Sequence, residues 1–238
     1  MNRLMPKSWN EETKPHLFCP GCGHGIAFKQ LGYAIDGLNI AKKTTLGIDI
    51  GCSLLAWNFL NLSTVQTHHG RTTPVMVGYK MMKPNRVAIA YTGDGGAYAI
   101  GLQSILHAAY RNDPVTVIVV NNENYAMTGG QMSPETMPGT VTSTTPLGKP
   151  ENLGSGLMGP ELIKNVASKN AFIARTSISN PILLQTMIKK AINTQIEKKS
   201  FSFVEILSIC PTNWKTNAKT SFDILFDMEK HYPIGELK

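Results

Sequence analysis

A parallel strand–helix–strand unit is written into the middle of this chain. Val87 to Tyr91 reads as a strand, Gly93-Asp94-Gly95 as an acidic glycine turn, and Ala97 to Asp113 as a helix. Val115 to Val120 reads as the next strand, and it runs into Asn121-Asn122. In a parallel sheet the carboxyl ends of neighbouring strands line one crevice, where ligands bind. Asp94 lies just past one strand end and Asn122 just past the next, so both side chains reach the same ion. A carboxylate, an amide oxygen and a backbone carbonyl make a hard-oxygen set suited to Mg²⁺ holding a diphosphate. Gly93, Gly95 and Gly96 let the backbone come close to phosphate oxygens, and the following helix presents its amino end to them. An Asp-Gly turn alone is common punctuation. Its pairing with Asn121-Asn122 across one helix and one strand is far more specific.

The flanking sequence extends the same pattern. Residues 1 to 18 read as an irregular arm, followed by the tight loop Cys19-Pro20-Gly21-Cys22-Gly23-His24-Gly25 and a helix from Ile26 to about Ala34. Thr44 to Ile50 reads as the first strand, and Gly51-Cys52-Ser53 turns it into a helix from Leu54 to about Phe59. A polar loop, Thr67 to Pro74, leads to a helix over Val75 to Met82. Glu123 to about Leu157 is rich in Gly, Pro, Ser and Thr, and a loop of that length beside an ion site is expected to cover a ligand. A helix (Glu161 to Lys169), a strand (Phe172 to Thr176), a helix (Pro181 to Glu197) and a strand (Phe203 to Leu207) complete the sheet. Alternating strands and helices predict a doubly wound, mostly parallel α/β sheet. Residues 1–238 are expected to form a single domain with an irregular arm and a tail, in which Ser221 to Glu229 reads as a short helix.

Composition narrows the partners. At 238 residues a substantial core is possible, and only 16% of residues are charged against 42% hydrophobic, which fits a subunit covered by partners. The formal charge of +7 is scattered in pairs such as Lys42-Lys43, Lys189-Lys190 and Lys198-Lys199, so no nucleic-acid surface is expected. Attraction to anionic cofactors or an acidic electron carrier uses the same charge. The longest aliphatic run, Val117 to Val120, is far short of a membrane span. With no signal-peptide core at the amino terminus, a cytoplasmic protein without membrane contact is expected.

The four cysteines are Cys19, Cys22, Cys52 and Cys210. Cys19 and Cys22 form a Cys-x-x-Cys bite, Cys52 follows the first strand and Cys210 the last. All are therefore able to converge at the carboxyl edge of the sheet, beside Asp94 and Asn122. Four thiolates suit structural Zn²⁺ or an iron–sulfur cluster, and spacing alone does not separate them. Location favours the cluster, because a metal needed only for stability has no reason to sit beside a diphosphate cofactor. The plain alternative is a Cys-x-x-Cys pair with two unrelated buried thiols.

These motifs occur together in one known family. The Cys19–Gly25 loop, Ile50-Gly51-Cys52-Ser53, His69-Gly70-Arg71, Gly93-Asp94-Gly95-Gly96, Asn121-Asn122-Glu123-Asn124-Tyr125-Ala126-Met127-Thr128-Gly129-Gly130-Gln131 and Cys210-Pro211-Thr212 stand in the same order as in the β subunits of 2-oxoacid:ferredoxin oxidoreductases. From Phe18 to about Trp214 the chain resembles this thiamine diphosphate-binding subunit. The resemblance implies that Asp94, Asn122 and the Asn124 carbonyl hold Mg²⁺, and that Gly95, Gly96, Ala126 and Met127 cradle thiamine diphosphate. It places Ile50, Gly51, Cys52 and Ser53 beside the cofactor together with His69, the catalytic candidate. It assigns Cys19, Cys22, Cys52 and Cys210 to one 4Fe–4S cluster near the thiazolium ring. Arg71 matches the motif without an assigned contact, its other role being a salt bridge or loop anchor.

The activity implied is oxidative decarboxylation of a 2-oxoacid to acyl-CoA and carbon dioxide, with electrons leaving through the cluster to ferredoxin. The glutamate that such enzymes place on the aminopyrimidine ring would come from a pyrimidine-binding α subunit, so a hetero-oligomer with further oxidoreductase subunits is expected. Leu54-Leu55-Ala56-Trp57 is apolar where a dicarboxylic substrate would need a cation. That leans towards branched-chain substrates such as 2-oxoisovalerate, with pyruvate or 2-oxoglutarate as alternatives. A non-redox thiamine diphosphate decarboxylase or carboligase subunit would keep the Asp94–Asn122 unit but not need four convergent cysteines. Among the other histidines, His107 is expected to pack within its helix, His24 to orient the cysteine loop, and His68 to face solvent. Met81-Met82 are expected as core or interface filler.

Overall fold

The computed structural model describes residues 5–13 and 15–237. The amino-terminal four residues, Lys14 and Lys238, which fall within the expected arm and tail, lie outside them. In chain order the elements are helix α1 (Gly23–Gly37), strands β1 (Thr44–Ile48) and β2 (Ser63–Gln66), helix α2 (Thr72–Met82) and strand β3 (Val87–Gly93). Helix α3 (Leu102–Tyr110), β4 (Thr116–Asn121) and the short pair β5 (Asn124–Tyr125) and β6 (Gln131–Met132) follow. The remainder is α4 (Gly159–Val166), β7 (Phe172–Ser177), α5 (Pro181–Glu197), β8 (Ser202–Leu207), α6 (Pro211–Trp214), α7 (Ala218–His231) and β9 (Gly235–Glu236).

Seven strands form one sheet in the order β2-β1-β3-β4-β8-β7-β9. Every pairing in it is parallel except β7 with β9. The chain leaves β1 towards β2 on one side and returns to β3 on the other. The topological switch point therefore lies between β1 and β3, where a doubly wound sheet opens its crevice.

Strand side chains alternate between two cores, as the two-residue period requires. Ile89, Tyr91, Ile118 and Val120 face one core with Leu31 and Ile35 of α1, Ile188 and Ile192 of α5, and Leu225 and Met228 of α7. Ala88, Ala90, Val117 and Val119 face the other with Met76 of α2, Ile105 of α3 and Ile163 of α4. Strands buried on both faces read as near-continuous apolar runs, which is why β3 and β4 are visible in the sequence. Among the described residues, no helix is long and apolar enough to cross a membrane.

Several boundaries differ from expectation. The expected helix over Leu54 to Phe59 is a short 3₁₀ turn, Cys52–Ala56. The expected helix from Ala97 begins instead as a π turn, Gly95–Ile100, ahead of α3. The Glu123–Leu157 segment is folded rather than loose: it holds β5 and β6, and buries Ser133, Glu135, Thr136 and Lys149. Met81 and Met82 are 67% and 79% exposed, so they are not core. His107 is exposed on α3 and fills no packing role.

Candidate cofactor site

Three strand ends build the site. At the end of β1, Asp49 is fully buried. Its Oδ1 accepts from the Gly70 N–H at 2.9 Å and the Thr72 hydroxyl at 3.1 Å, and its Oδ2 accepts from Thr92 at 2.8 Å. Burial raises its pKa, and these hydrogen bonds oppose the rise. One carboxylate thus joins β1, the His69-Gly70-Arg71 loop and β3. The next residues, Ile50-Gly51-Cys52-Ser53, turn over the crevice, with Gly51 at φ 129°.

At the end of β3, Asp94 caps the π turn by accepting from the Gly95 N–H at 2.7 Å. Its other oxygen accepts from the N–H groups of Asn122 and Asn124, both at 3.2 Å. Burial pushes Asp94 up to about 7 against those hydrogen bonds, and the charge of Glu205 adds to the rise. A cation is what such a carboxylate lacks.

Beyond β4, Glu123 adopts φ 58°, a left-handed conformation uncommon for a non-glycine residue and frequent at functional sites. It separates Asn122 from Asn124, whose buried Oδ1 atoms have no hydrogen-bond donor. Orphaned amide oxygens beside a buried carboxylate fit a hard divalent cation. Glu123 itself, buried next to Asp94, is pushed up to about 8 by desolvation first and the Asp94 charge second.

The glycines are small for different reasons. A Cβ at Gly96 would strike Asp49 Oδ2, and one at Gly95 would strike the Tyr125 ring. The π turn is wider than an α turn and recurs at functional sites; here it opens backbone towards the crevice. The sequence gives no sign of the wider turn that brings Ala99 and Ile100 to the site, while Tyr125, within the Asn121–Gln131 motif, reaches the wall from β5.

These residues enclose a cavity of about 440 Å³. Every residue expected at the cofactor lines it: Ile50, Gly51, Cys52, Ser53, His69, Gly95, Gly96, Ala126 and Met127, with Asp94, Asn122 and Asn124. His69 is exposed but stands on the wall, while His68 faces solvent. Arg71 starts α2 and donates to the Ile100 carbonyl at 3.4 Å, so it anchors the loop against the π turn. Leu54, Leu55 and Trp57 are not part of the wall.

The cysteines meet beside the cavity. The Cys22 N–H donates to the Cys19 carbonyl at 3.0 Å, and the Gly23 N–H to Ile209 at 3.2 Å, which brings the first cysteine loop against the last strand end. All four thiols are free. Burial pushes Cys22 and Cys52 up to about 12; the charges of Cys19 and Cys210 add to both, and Cys52 also feels Cys22. No three Cys, His, Asp or Glu side chains among the described residues sit close enough to hold a single metal ion. The four thiols are nonetheless near enough to feel one another's charge. His24 is buried behind them, stacked on Phe18 with ring centroids 5.3 Å apart and joined to the Tyr91 hydroxyl at 2.9 Å. Burial lowers its pKa to about 4, so it holds the loop as a neutral ring.

A charged network lies beneath the site. Glu205 accepts from Tyr98 at 2.6 Å and from Asn121 at 3.3 Å, and pairs with the buried Arg175. Arg175 also forks onto Glu161 at 2.6 and 2.7 Å.

A crevice at the switch point, an acidic glycine turn and an amide-rich strand end together define a thiamine diphosphate-binding domain. Residues 49–206 match the family described as thiamine pyrophosphate enzyme, C-terminal TPP binding domain. Ketoisovalerate oxidoreductase subunit VorA of Methanothermobacter thermautotrophicus is 38% identical over 237 residues, covering 98% of this chain and 49% of the relative. 2-Oxoglutarate synthase subunit KorB of Methanocaldococcus jannaschii is 38% identical over 208 residues, covering 87% of this chain and 73% of the relative. The solved 2-oxoglutarate:ferredoxin oxidoreductase from Magnetococcus marinus, with 2-oxoglutarate, coenzyme A and succinyl-CoA bound, superposes with a TM-score of 0.82 at 28% identity, covering 95% of this chain and 74% of that one. The chain belongs to the β subunits of the 2-oxoacid:ferredoxin oxidoreductase family. It spans about half the length of the VorA relatives, 49%.

Proposed function

We propose that residues 1–238 act as one thiamine diphosphate- and iron–sulfur-binding domain of an enzyme that oxidatively decarboxylates a 2-oxoacid to acyl-CoA and carbon dioxide. The observation that carries this reading is the meeting of two chemistries at one rim. Asp94, with the orphaned Asn122 amide oxygen, faces a cavity whose wall includes Cys52, which feels the charges of the other three cysteines.

Asp94, Asn122 and the Asn124 carbonyl would hold Mg²⁺ on the diphosphate. Gly95, Gly96, Ala126 and Met127 would line the cofactor, with Ile50 to Ser53 and His69 opposite. Thiamine diphosphate, when bound, supplies carbanion chemistry at its thiazolium ring. The chain's part is to fix that ring and exclude water from it. Cys19, Cys22, Cys52 and Cys210 would ligate a 4Fe–4S cluster that takes electrons towards ferredoxin. Four thiolates beside a thiamine diphosphate site suit a redox centre better than structural Zn²⁺, which has no reason to sit there. A non-redox thiamine enzyme would have no use for this convergence.

No glutamate among the described residues lines the cavity; a pyrimidine-binding α subunit would supply that group. Ile100 and Met127 at the cavity, 54% and 46% exposed, form an apolar rim such a partner would cover. For the substrate, the VorA similarity over 98% of the chain supports branched-chain 2-oxoacids such as 2-oxoisovalerate; the apolar Leu54–Trp57 turn lies off the cavity wall and does not bear on the choice. The KorB similarity favours 2-oxoglutarate as the second reading, with pyruvate third. Assay of the anaerobically isolated complex with coenzyme A, ferredoxin and each oxoacid tests this. The highest kcat/KM is expected with 2-oxoisovalerate; a preference for 2-oxoglutarate or pyruvate would replace it.

A further inference from the structure

Between the cavity and the fourth cysteine lies a side chain that neither centre accounts for. Asn213 sits in α6, three residues after Cys210. Its Nδ2 donates to the Ala126 carbonyl at 2.7 Å and to Cys210 Sγ at 3.5 Å. A primary amide nitrogen has two hydrogens, so one group serves both acceptors and has no donor left over.

The contact is shaped on both sides. Ala126 and Met127 are wall residues of the cavity, and the turn that follows them folds back through the Gly130 N–H to the Tyr125 carbonyl at 3.0 Å. Gly130 has φ 81°, and a Cβ there would stand 3.0 Å from Asn213 Cβ. The glycine turn is therefore seated on Asn213, and the wall it carries is referenced to Cys210.

We propose that Asn213 is a positioning residue that couples the cofactor wall to the cysteine site and raises the reduction potential of the cluster bound there. The inference rests on the proposed cluster. A hydrogen bond to a ligating sulfur withdraws electron density from it. When the cluster accepts one electron, its charge becomes one unit more negative, so donors to sulfur favour the reduced state. The same amide holds the Ala126 carbonyl, so loosening it disturbs both centres at once.

The test uses the complex isolated anaerobically, as wild type, Asn213→Leu and Asn213→Asp. Leucine keeps the volume without donors. Aspartate removes the donors and adds a negative charge beside the sulfur. Three quantities are read: iron with acid-labile sulfide, the midpoint potential from an EPR-monitored dithionite titration, and the thiamine diphosphate dissociation constant. Wild-type iron and sulfide are expected in all three proteins. The potential is expected to shift negative in Asn213→Leu and further in Asn213→Asp. Cofactor affinity is expected to fall about fivefold, the worth of one hydrogen bond. An unchanged potential with intact iron would overturn the coupling role. Loss of iron from Asn213→Leu would overturn it in favour of simple cluster retention. Absence of iron and sulfide from the wild-type complex would instead remove the cluster reading, and this inference with it.

Discussion

The Thr92 hydroxyl donates to Asp49 Oδ2 at 2.8 Å, locking the end of β3 to the end of β1 at the switch point of the sheet. The same carboxylate receives Gly70 and Thr72, so the catalytic candidate His69 stands on a loop fixed from beneath. Replacing Asp49 with alanine removes the acceptor of three buried donors: the Gly70 N–H is left unpaired at about 1–3 kcal/mol, while Thr72 keeps Thr67 and Thr92 keeps the Gly93 carbonyl. Asp49→Ala is expected to lower the unfolding free energy by several-fold more than Thr92→Val, which removes one donor and leaves the rest. Urea denaturation of both variants measures this, and equal effects would show that the carboxylate does not organise the three segments.

Gly96→Ala addresses the same junction from the other side. Its methyl group would meet Asp49 Oδ2 and Thr92 Oγ1, and overpacking of this kind costs about 1–3 kcal/mol or more. Reduced soluble yield and a lower melting temperature are expected, with thiamine diphosphate no longer retained. Gly78→Ala is the control, since a Cβ there meets nothing within 4 Å; it is expected to be stable.

Asp94 gives a pH signature in protein stripped of metal and cofactor. Its folded-state pKa lies near 7 against an ordinary value of 3.8, because burial disfavours the carboxylate. Between those values the folded form binds more protons than the unfolded one, so stability falls as pH rises from about 4 to about 7. Asp49, Glu123 and Glu135 shift in the same direction, so the difference between wild type and Asp94→Asn reports Asp94 together with the part of the Glu123 and Glu135 shifts that its charge causes. The variant is expected to lose less stability over this range, and to fail to gain any from Mg²⁺ with thiamine diphosphate. Parallel pH profiles of melting temperature would contradict the assignment.

Arg175 tests the network beneath the site. It is fully buried between Glu205 and Glu161. Arg175→Met strands Glu205 in the interior, at a cost of about 3–5 kcal/mol. Arg175→Met combined with Glu205→Leu is expected to recover much of that loss in guanidinium unfolding. A double variant as unstable as the single one would show that packing, not charge, dominates.

Legibility in the sequence followed the physical signal each element leaves. Helix α5, Pro181–Glu197, is legible to its observed bounds; in the structure Asn180 caps it and Pro181 opens it. Strands β3 and β4 stood out as apolar runs buried on both faces. Strand β2, Ser63–Gln66, leaves no such signal: it is an edge strand, half exposed and without alternation. The π turn at Gly95–Ile100 leaves no periodicity for a helix reading to detect, and the four-residue α6 is too short to leave one. Asp94, Asn122 and the glycines of the candidate site are legible because they follow strand ends, while Ile50 to Ser53, His69, Ala126 and Met127 are legible only through the family's motifs. The buried hub at Asp49 and the Glu205–Arg175 pair are not, since their burial follows from tertiary packing and a charged residue in a strand looks like a solvent-facing one.

Anaerobic isolation of the complex from its native host, with thiamine diphosphate, iron and acid-labile sulfide determined per chain, tests the central claim most directly. One thiamine diphosphate and one 4Fe–4S cluster per chain are predicted, with the iron lost from Cys210→Ser. Stoichiometric zinc without colour, or full iron in Cys210→Ser, would contradict the account.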